Sequence, residues 1–366
     1  MMVISFLTFL SLVILGHYFA WRLCLSACPR LQPRRFWLLG TFIIFSVFFL
    51  ITFLLLHQSD NIFLSGLYVV SAVFFGALSQ LMLVGALYWL LIIFSHWLPG
   101  LVKVRLKKNN QKITRFFCLF ALCLFLIGTY NAFCPRVKTI TLSGWPKELK
   151  GKSFVQLSDL HLGAIYRPVW LKRIVRQTNV LNPDFILISG DLFDGSEEKV
   201  SEFVPALRDF KKPVIFVPGN HDYYVPDGEV ASTTAAGGFI TLSDRAGIFD
   251  GLQIIGFNYI GRSDSGLHRE ITDLQASTDL PRIVINHVPV DQAEAKALDA
   301  KLMLSGHTHR GQIFPFSLFL NFLYGRFSYG LENYEGMATY TSAGVGTWGP
   351  PLRTLFPGEI IKFVIE

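Results

Sequence analysis

The sequence predicts about four α-helical transmembrane segments in its first third and an α/β domain in the remainder. Long apolar stretches are confined to the residues before 134. After residue 150, short apolar runs typical of strands alternate with segments of helical periodicity. We therefore expect a transmembrane region at 1–133, a linker or edge strand at 134–150 and a second domain at 151–366.

Four apolar stretches are long enough to cross the roughly 30 Å hydrocarbon core of a bilayer at about 1.5 Å per helical residue. They are residues 3–21, 36–56, 62–94 and 116–133. The third stretch is too short for two spans, which need about 40 residues, so we interpret it as one tilted helix. The first stretch has no basic start, which argues against a cleaved signal peptide.

The net charge of +7 is distributed unevenly along the chain. Residues 1–134 hold ten Lys and Arg and one acid, a charge of +9, so the rest holds 23 cations and 25 acids, a charge of −2. The cations lie in the first and third loops between apolar stretches, and the second loop, 57–61, has none. The positive-inside rule then places the second domain outside the cytoplasm if there are four spans.

All five cysteines lie in or beside the apolar stretches, and the second domain has none. The sequence therefore predicts neither a disulfide framework nor a thiolate metal site in that domain. A cysteine-free domain is compatible with either side of a membrane, so cysteine usage leaves the compartment open.

The second domain alternates predicted strands with predicted helices. The strands are residues 153–157, 185–189, 214–217, 253–257, 282–285, 302–304, 337–341 and 359–365. The helices are residues 168–181, 197–210 and 291–298, and the first two carry apolar side chains along one face. This alternation predicts an α/β fold built in layers.

Five short polar clusters each follow the carboxyl end of an apolar strand. They contain seven candidate metal ligands, Asp159, His161, Asp191, Asn220, His287, His307 and His309. In open α/β sheets, sites form beyond the carboxyl ends of the strands, so these residues are expected to converge. One Asp after a strand is usually a turn or capping residue, but five such clusters together predict a pair of divalent ions. Carboxylate, amide and imidazole ligands suit Mn²⁺, Fe²⁺ or Zn²⁺.

Residues 151–366 resemble the calcineurin-like metallophosphoesterase superfamily, in its membrane-anchored YkuE/YaeI-like branch. The matching motifs are Asp159-x-His161, Gly190-Asp191-x-x-Asp194, Gly219-Asn220-His221-Asp222, His287, Gly306-His307-x-His309 and the tail at 344–353. The resemblance implies a two-sheet β-sandwich flanked by helices, with two divalent metal ions. It implies one ion held by Asp159, His161, Asp191 and His309, and another held by Asp191, Asn220, His287 and His307, with Asp191 bridging.

The resemblance further implies a metal-dependent phosphoric ester hydrolase, a phosphoesterase or phosphodiesterase, in which metal-activated hydroxide attacks phosphorus. Asp191 and His221 are the expected catalytic residues, with His221 as proton donor to the leaving oxygen or, alternatively, as a packing residue beside the ligands. Asp194 and Asp222 are expected to orient ligands. Arg310 either neutralises the substrate phosphate or faces solvent, and both remain open.

An apolar run at residues 313–324 begins four residues after His309. It either rests on lipid beside the site or forms a buried strand and helix, and both remain open. Because the second domain closely follows the last apolar stretch, we expect a phosphorylated small molecule or a lipid-linked phosphate as substrate. Membrane lipids are the expected partners, at a bacterial inner or cell membrane.

Three other functions are compatible with parts of the sequence. Some relatives in the same branch hydrolyse UDP-2,3-diacylglucosamine in lipid A synthesis, but that pyrophosphatase reaction belongs to the cytoplasmic face, against the predicted topology. A non-enzymatic metal-bound membrane scaffold or sensor is disfavoured by the complete ligand set. A nuclease is disfavoured by the charge of −2, so no nucleic acid is expected as a partner.

Overall fold

The computed structural model describes residues 2–56, 61–195, 200–226, 228–259 and 279–366, with the backbone alone for residues 2–10, 101 and 103. The chain divides into two compact units. The first consists of Met1–Leu55 and Phe63–Thr129, and the second consists of Leu56–Ile62 and Tyr130–Glu366.

The N-terminal part of the chain is helical. Its α-helices are α1 (Met2–Ala27), α2 (Arg35–Leu56), α3 (Ile62–Phe94), α4 (Gly100–Lys108) and α5 (Asn110–Phe133). Three helical stretches are long and apolar enough to cross a membrane, and they are Pro29–Leu56, Ile62–Trp97 and Asn110–Phe133. The overlong third stretch is one helix, α3, as interpreted from the sequence. The stretch predicted at 3–21 lies in α1, whose described apolar part, Ser11–Ala27, is shorter than a span.

Hydrogen bonds within the first unit place its first and third loops at the same end. Arg115 Nε, near the start of α5, donates to the Ala27 carbonyl oxygen at the end of α1, at 3.1 Å. Towards the other end, Thr52 Oγ1 of α2 and Ser71 Oγ of α3 lie 2.9 Å apart. Residues 57–60 of the second loop lie outside the described part of the chain.

The second unit contains two six-stranded β-sheets. The strands are β1 (Arg136–Leu142), β2 (Ser153–Leu157), β3 (Phe185–Ser189), β4 (Val214–Val217), β5 (Ile240–Thr241), β6 (Arg245–Phe249), β7 (Leu252–Phe257), β8 (Arg282–Asn286), β9 (Ala300–Ser305), β10 (Gly330–Tyr334), β11 (Met337–Thr341) and β12 (Glu359–Ile365). The sheet orders are β1-β12-β2-β3-β4-β5 and β10-β11-β9-β8-β7-β6. The helices are α6 (Pro168–Val180), α7 (Val204–Leu207), α8 (Glu229–Ala236), α9 (Gln292–Ala297) and α10 (Phe316–Tyr324).

Parallel pairing brings the carboxyl ends of the central strands to one edge of each sheet. In the first sheet β2, β3, β4 and β5 run parallel, with Val155 opposite Ile186 and Ile186 opposite Val214. In the second sheet β7, β8, β9 and β11 run parallel, with Ile285 opposite Leu304. Loops that leave these strands can therefore meet at a single place.

The two sheets form a β-sandwich with helices on its outer faces. A shared core joins Phe154 of the first sheet with Ile254 of the second. On the outer face of the first sheet, Ile186 packs in one cluster with Ile174 of α6. Ala295 of α9 belongs to the cluster on the outer face of the second sheet. This architecture confirms the predicted two-sheet sandwich flanked by helices.

Three short strands, β5, β6 and β10, do not appear among the predicted elements. All three lie at sheet edges. Strands β6 and β10 are only partly buried along their length. Because one side of an edge strand meets solvent, its sequence lacks the continuous apolar run that marked the central strands.

The helix predicted at 197–210 is confirmed only at residues 200–207 of its described part, and only half of that stretch is α-helical. Val200–Phe203 forms a 3₁₀ turn, and α7 covers only Val204–Leu207. Residues 197–199 lie outside the described part. Pro205 explains the break, because proline has no N–H to donate to the carbonyl four residues earlier.

The apolar run at 313–324 forms the exposed helix α10, in which no residue is buried. The alternative of a buried strand and helix is therefore wrong. Phe322, at its centre, is 87% exposed. Hydropathy alone does not separate the two cases, because a helix with an apolar outer face has the same composition as a buried one.

Candidate metal centre

The five predicted clusters converge where the carboxyl ends of the two sheets meet. Asp159 follows β2, Asp191 follows β3, Asn220 follows β4, and His287 follows β8. Glycine allows the loops to approach one another. A Cβ at Gly219 would overlap the Asp191 carboxylate and its backbone nitrogen. The sequence thus assembles the site by placing small residues where backbone meets side chain.

One group of candidate ligands is Asp159, His161 and His309, whose ligand atoms all lie within 4.8 Å of one another. Asp159 Oδ1 lies 3.4 Å from His309 Nε2. The Nε2 atoms of His161 and His309 face each other at 3.0 Å. All three residues are buried.

A second group is Asp191, His287 and His307, again within 4.8 Å of one another. Asp191 Oδ2 lies 3.0 Å from His287 Nε2 and 3.7 Å from His161 Nε2, so this carboxylate reaches both groups. Asn220 Oδ1 lies 2.9 Å from His307 Nδ1. The structure therefore brings all seven predicted ligands together.

The tautomers of two histidines show that the site fits cations. His287 Nδ1 lies 2.8 Å from the Ser189 carbonyl oxygen, which can only accept, so Nδ1 must carry a proton. His287 Nε2 is then buried and faces Asp191 Oδ2 at 3.0 Å, a distance at which a lone pair and a carboxylate need a proton or a metal cation between them. His161 Nδ1 likewise donates to Asp194 Oδ1, at 3.0 Å, which turns the Nε2 lone pair towards His309. A buried imidazole lone pair that faces a carboxylate or a second imidazole is unfavourable unless a proton or a metal cation lies between the two groups.

The electrostatics keep several ligands in the form that binds metal. Burial lowers the pKa of His307 to about 3, with help from the charge of His287, so His307 is neutral at pH 7. Burial and the nearby His161 also lower the pKa of His309. Burial alone would raise the pKa of Asp191, but the nearby His287 outweighs it and lowers that pKa, so the carboxylate stays ionised.

The pKa of His287 shifts in the opposite direction to those of His307 and His309. Burial works to lower its pKa, but the Asp191 carboxylate and the Ser189 carbonyl raise it to about 9. A proton on His287 Nε2 then lies beside Asp191, and a metal ion held by these two residues would have to displace it.

Asp194 and Asp222 support the ligands through different contacts. Asp194 Oδ1 accepts from His161 Nδ1. Asp222 accepts backbone N–H groups instead, from Phe193 at 3.0 Å and Gly219 at 2.8 Å. Asp194 also lies within 4.8 Å of His161 and His221. Because its Oδ1 is already bonded to the ring of His161, we interpret it as the group that orients His161.

His221 lies at the edge of the centre. Its backbone N–H donates to Asp191 Oδ1 at 2.9 Å, and its Nδ1 donates to the Asp194 carbonyl oxygen at 2.9 Å. Its ring lies 5.2 Å from that of Tyr224 and 6.0 Å from that of the half-exposed Trp348. Burial lowers the pKa of His221. The Nδ1 contact leaves Nε2 as the ring atom available for proton transfer.

The Arg310 side chain is held between aromatic rings. Its guanidinium carbon lies 3.4 Å from the centre of the Phe356 ring and 3.9 Å from that of Tyr329. The sequence left two roles open for Arg310, neutralising the substrate phosphate or facing solvent. A guanidinium held between two rings is not freely exposed to solvent.

Arg353 is a residue of the site that the sequence reasoning missed. It is fully buried, and its guanidinium donates to the carbonyl oxygens of Ala343 and Gly346 at 2.6 Å and of His309 at 3.2 Å. It therefore ties the loop after β11 to the loop that carries a candidate ligand. The only sequence signal was its place in the glycine- and proline-rich tail at 344–353.

Five of the seven candidate ligands have left-handed backbone. The φ angles are 52° at Asp159, 47° at His161, 52° at Asp191, 68° at His307 and 49° at His309. Residues other than glycine enter this region rarely, and they do so mostly at functional sites where the surroundings hold them.

Comparisons with known proteins identify the family of this chain. Residues 152–311 match the family of calcineurin-like phosphoesterases. An uncharacterized metallophosphoesterase of Helicobacter pylori is 34% identical over 67% of this chain and 68% of its own length. One of Campylobacter jejuni is 31% identical over 87% of this chain and 88% of its own length. A transmembrane protein with metallophosphoesterase domain of Danio rerio is 28% identical over 99% of this chain and 89% of its own length. The chain therefore belongs to the calcineurin-like metallophosphoesterases and is a phosphoric ester hydrolase.

Proposed function

We propose that this chain is a membrane-anchored phosphoesterase that works with two divalent metal ions. The observation that carries the proposal is the pair of ligand groups that share the Asp191 carboxylate. Asp159, His161 and His309 would hold one ion, and Asn220, His287 and His307 the other. The donor set has no thiolate, which favours Mn²⁺, Fe²⁺ or Zn²⁺.

A bound pair of divalent ions activates water and neutralises charge on a phosphoryl group. The protein supplies orientation and proton transfer. Asp194 and Ser189 fix the tautomers of His161 and His287. The proposed proton donor to the leaving oxygen is Nε2 of the His221 imidazolium, because Nδ1 is held by the Asp194 carbonyl, and the lowered pKa of His221 makes that cation a stronger acid. The rings of Tyr224 and Trp348 lie beside His221 and help to orient its ring.

The membrane anchor and its orientation are part of the proposal. Three apolar helical stretches and the named transmembrane relative from Danio rerio support an anchor. The Arg115–Ala27 hydrogen bond supports placing the two cationic loops on one side. With α1 as a fourth span, the positive-inside rule puts those loops in the cytoplasm and the second unit outside.

The proposed substrate is a phosphate ester carried by a lipid. The exposed apolar helix α10 follows the His307–His309 loop directly in sequence, which supports an amphiphilic substrate. A UDP-2,3-diacylglucosamine pyrophosphatase needs its catalytic unit in the cytoplasm, so the proposed orientation disfavours that alternative. The complete ligand set likewise disfavours a non-enzymatic scaffold or sensor.

The test is hydrolysis by the purified full chain. With Mn²⁺ added, we expect turnover of bis-p-nitrophenyl phosphate, and comparison with p-nitrophenyl phosphate separates diester from monoester activity. Asp191→Asn should lower turnover at least about a hundredfold, because it weakens both metal positions. The control is Asp250→Asn, an exposed carboxylate paired with Lys152. Activity that needs no metal, or that survives Asp191→Asn, contradicts the proposal.

A further inference from the structure

Helix α10 turns its apolar face outward, whereas an ordinary surface helix turns that face towards the core. Its large apolar side chains point outward, and the exposed ones are Phe316, Leu318, Phe319, Phe322 and Leu323. At 3.6 residues per turn, these positions share one side of the helix. A soluble surface helix places such residues against the core, so this face fits an apolar surrounding better than water.

The opposite side of α10 carries the polar contacts with the second unit. Asn321 Oδ1 accepts from Ser328 Oγ at 2.6 Å. The ring of Tyr324 lies 6.2 Å from that of the candidate ligand His307. These contacts attach the helix beside the metal centre and fix which of its faces points outward.

An open cleft of about 530 Å³ lies between α10 and the rest of the second unit. Its lining combines two cations, Arg310 and Arg326, with the aromatic rings of Tyr329 and Phe356 and with apolar side chains of α10. The size is typical of a site for a small ligand. Cations beside an apolar face suit a lipid with an anionic headgroup.

We propose that α10 docks the second unit on an anionic lipid surface, with its apolar face among the acyl chains and Arg326 at the headgroups. Three features of the chain favour a membrane as the partner of this face. They are the outward apolar side chains of α10, the two arginines of the cleft and the membrane-length helices of the same chain. The last of those helices ends at Phe133, three residues before β1. An interfacial helix sits about 5–10 Å into the headgroup and acyl boundary. Such docking would deliver a lipid-linked phosphate to the centre.

The first experiment measures lipid contact directly and does not depend on activity. The full chain, with its five cysteines replaced by serine, receives a single cysteine through Phe322→Cys and a fluorescent label. It is reconstituted in phosphatidylcholine vesicles with or without phosphatidylglycerol, and with nitroxide-labelled lipid as quencher. The matched control is Val180→Cys, on α6, because Val180 is 83% exposed and also apolar.

We expect several-fold stronger quenching of a label at position 322 than of a label at position 180. Phosphatidylglycerol should increase the quenching at position 322, and Arg326→Gln should reduce it. Equal quenching at the two positions overturns the proposal. Contact between the labels at position 322 of two copies of the chain, at any lipid composition, also overturns the proposal. In that case the apolar face of α10 is an interface between copies.

The second experiment uses turnover. Because the inference rests on the proposed function, Phe319→Ser with Phe322→Ser is assayed on bis-p-nitrophenyl phosphate and on phospholipid in vesicles. We expect several-fold lower turnover of the lipid and unchanged turnover of the soluble ester. An equal fall on both substrates counts against docking. If neither the wild type nor the double variant hydrolyses the soluble ester, the proposed phosphoesterase activity is wrong. The quenching experiment still decides whether α10 contacts lipid.

Discussion

At the scale of single residues, two neighbouring carboxylates make different contacts around the candidate metal ligands. Asp194 contacts the ring of His161, whereas Asp222 contacts backbone N–H groups of the loops after β3 and β4. The first contact sets the orientation and basicity of a ligand. The second holds the shape of the loops that carry Asp191 and Asn220.

Asp194→Ala should therefore weaken metal binding more than it weakens folding. Loss of a carboxylate that orients a histidine ligand typically lowers metal affinity about 10–100-fold. Metal content after equilibrium dialysis at graded Mn²⁺ concentrations measures the change. Asp209→Ala, at a residue on the surface of the same unit, serves as the control. Unchanged affinity would remove Asp194 from the centre.

Asp222→Ala should instead lower the free energy of unfolding. The substitution leaves the buried N–H groups of Phe193 and Gly219 without acceptors, at a cost of about 1–3 kcal/mol for each group. Thermal or denaturant unfolding of the metal-free chain measures this, and Asp222→Asn should restore part of the loss through its amide oxygen. A variant as stable as the wild type contradicts the assignment.

The candidate ligands could be predicted from sequence because each follows an apolar strand, and parallel strands end at the same edge. The role of Arg353 could not be predicted from the sequence. A cation that is completely buried among carbonyl oxygens looks, in sequence, like any surface arginine. Its partners lie in loops whose shape depends on the assembled sheets.

At the scale of elements, the loops at the carboxyl ends of the strands interlock through glycine. A Cβ at Gly306 would overlap both the Ser158 hydroxyl and the Asp159 carboxylate. The loop after β9 therefore packs against the loop after β2 with no space between them.

Gly306→Ala should displace one of these two loops and lower metal affinity at least about tenfold, since the added methyl group forces Asp159 to move. The comparison is Gly66→Ala in α3, where an added Cβ meets nothing within 4 Å. Metal titration and unfolding of the two variants should separate them. Equal behaviour would show that the Gly306 loop can relax without affecting the centre.

Arg353→Met should loosen the link between the tail and the loop that carries His309. Methionine keeps the length of the side chain but leaves the carbonyl oxygens of Ala343, Gly346 and His309 without a donor. We expect a loss of about 2–5 kcal/mol in the free energy of unfolding. Denaturant melts are the measurement, with Arg208→Met, on the surface near α8, as control.

Element types were predictable where the elements are central and apolar, and less so at the edges. The strands β2, β3 and β4 are buried on both faces; β4 and most of β3 are continuous apolar runs, and Gln156 interrupts that of β2. The edge strands β6 and β10 mix exposed and buried positions, so their pattern resembles that of a loop. For α10, the sequence showed the apolar residues, but which side faces outward depends on contacts such as Asn321 with Ser328.

At the scale of the whole molecule, charge and catalysis are separated along the chain. The cations of residues 1–134 flank apolar helices, and the remainder, with its −2 charge, carries the candidate metal centre. The hydrogen bond between Arg115 and Ala27 brings the two cationic segments to one end of the helical unit.

A reporter joined after Glu366 tests the orientation that follows. In a bacterial host, we expect alkaline phosphatase in this position to be active, because it folds only outside the cytoplasm, and a cytoplasm-dependent reporter to be inactive. Replacing the six Lys and Arg between 103 and 115 with Gln should weaken this preference, since these cations hold the third loop inside. The opposite pattern would place the centre in the cytoplasm and favour a UDP-2,3-diacylglucosamine pyrophosphatase.

The left-handed backbone of the ligand loops sets a limit on how this chain can be stabilised. Residues such as Asp159 and His309 hold conformations that cost about 1–3 kcal/mol each for any residue but glycine. Glycine at those positions would relieve the cost. Selection for heat resistance alone therefore does not protect the candidate ligands at these positions. A thermostable variant of this enzyme should therefore be sought with these positions held constant and with selection for both metal binding and thermal stability.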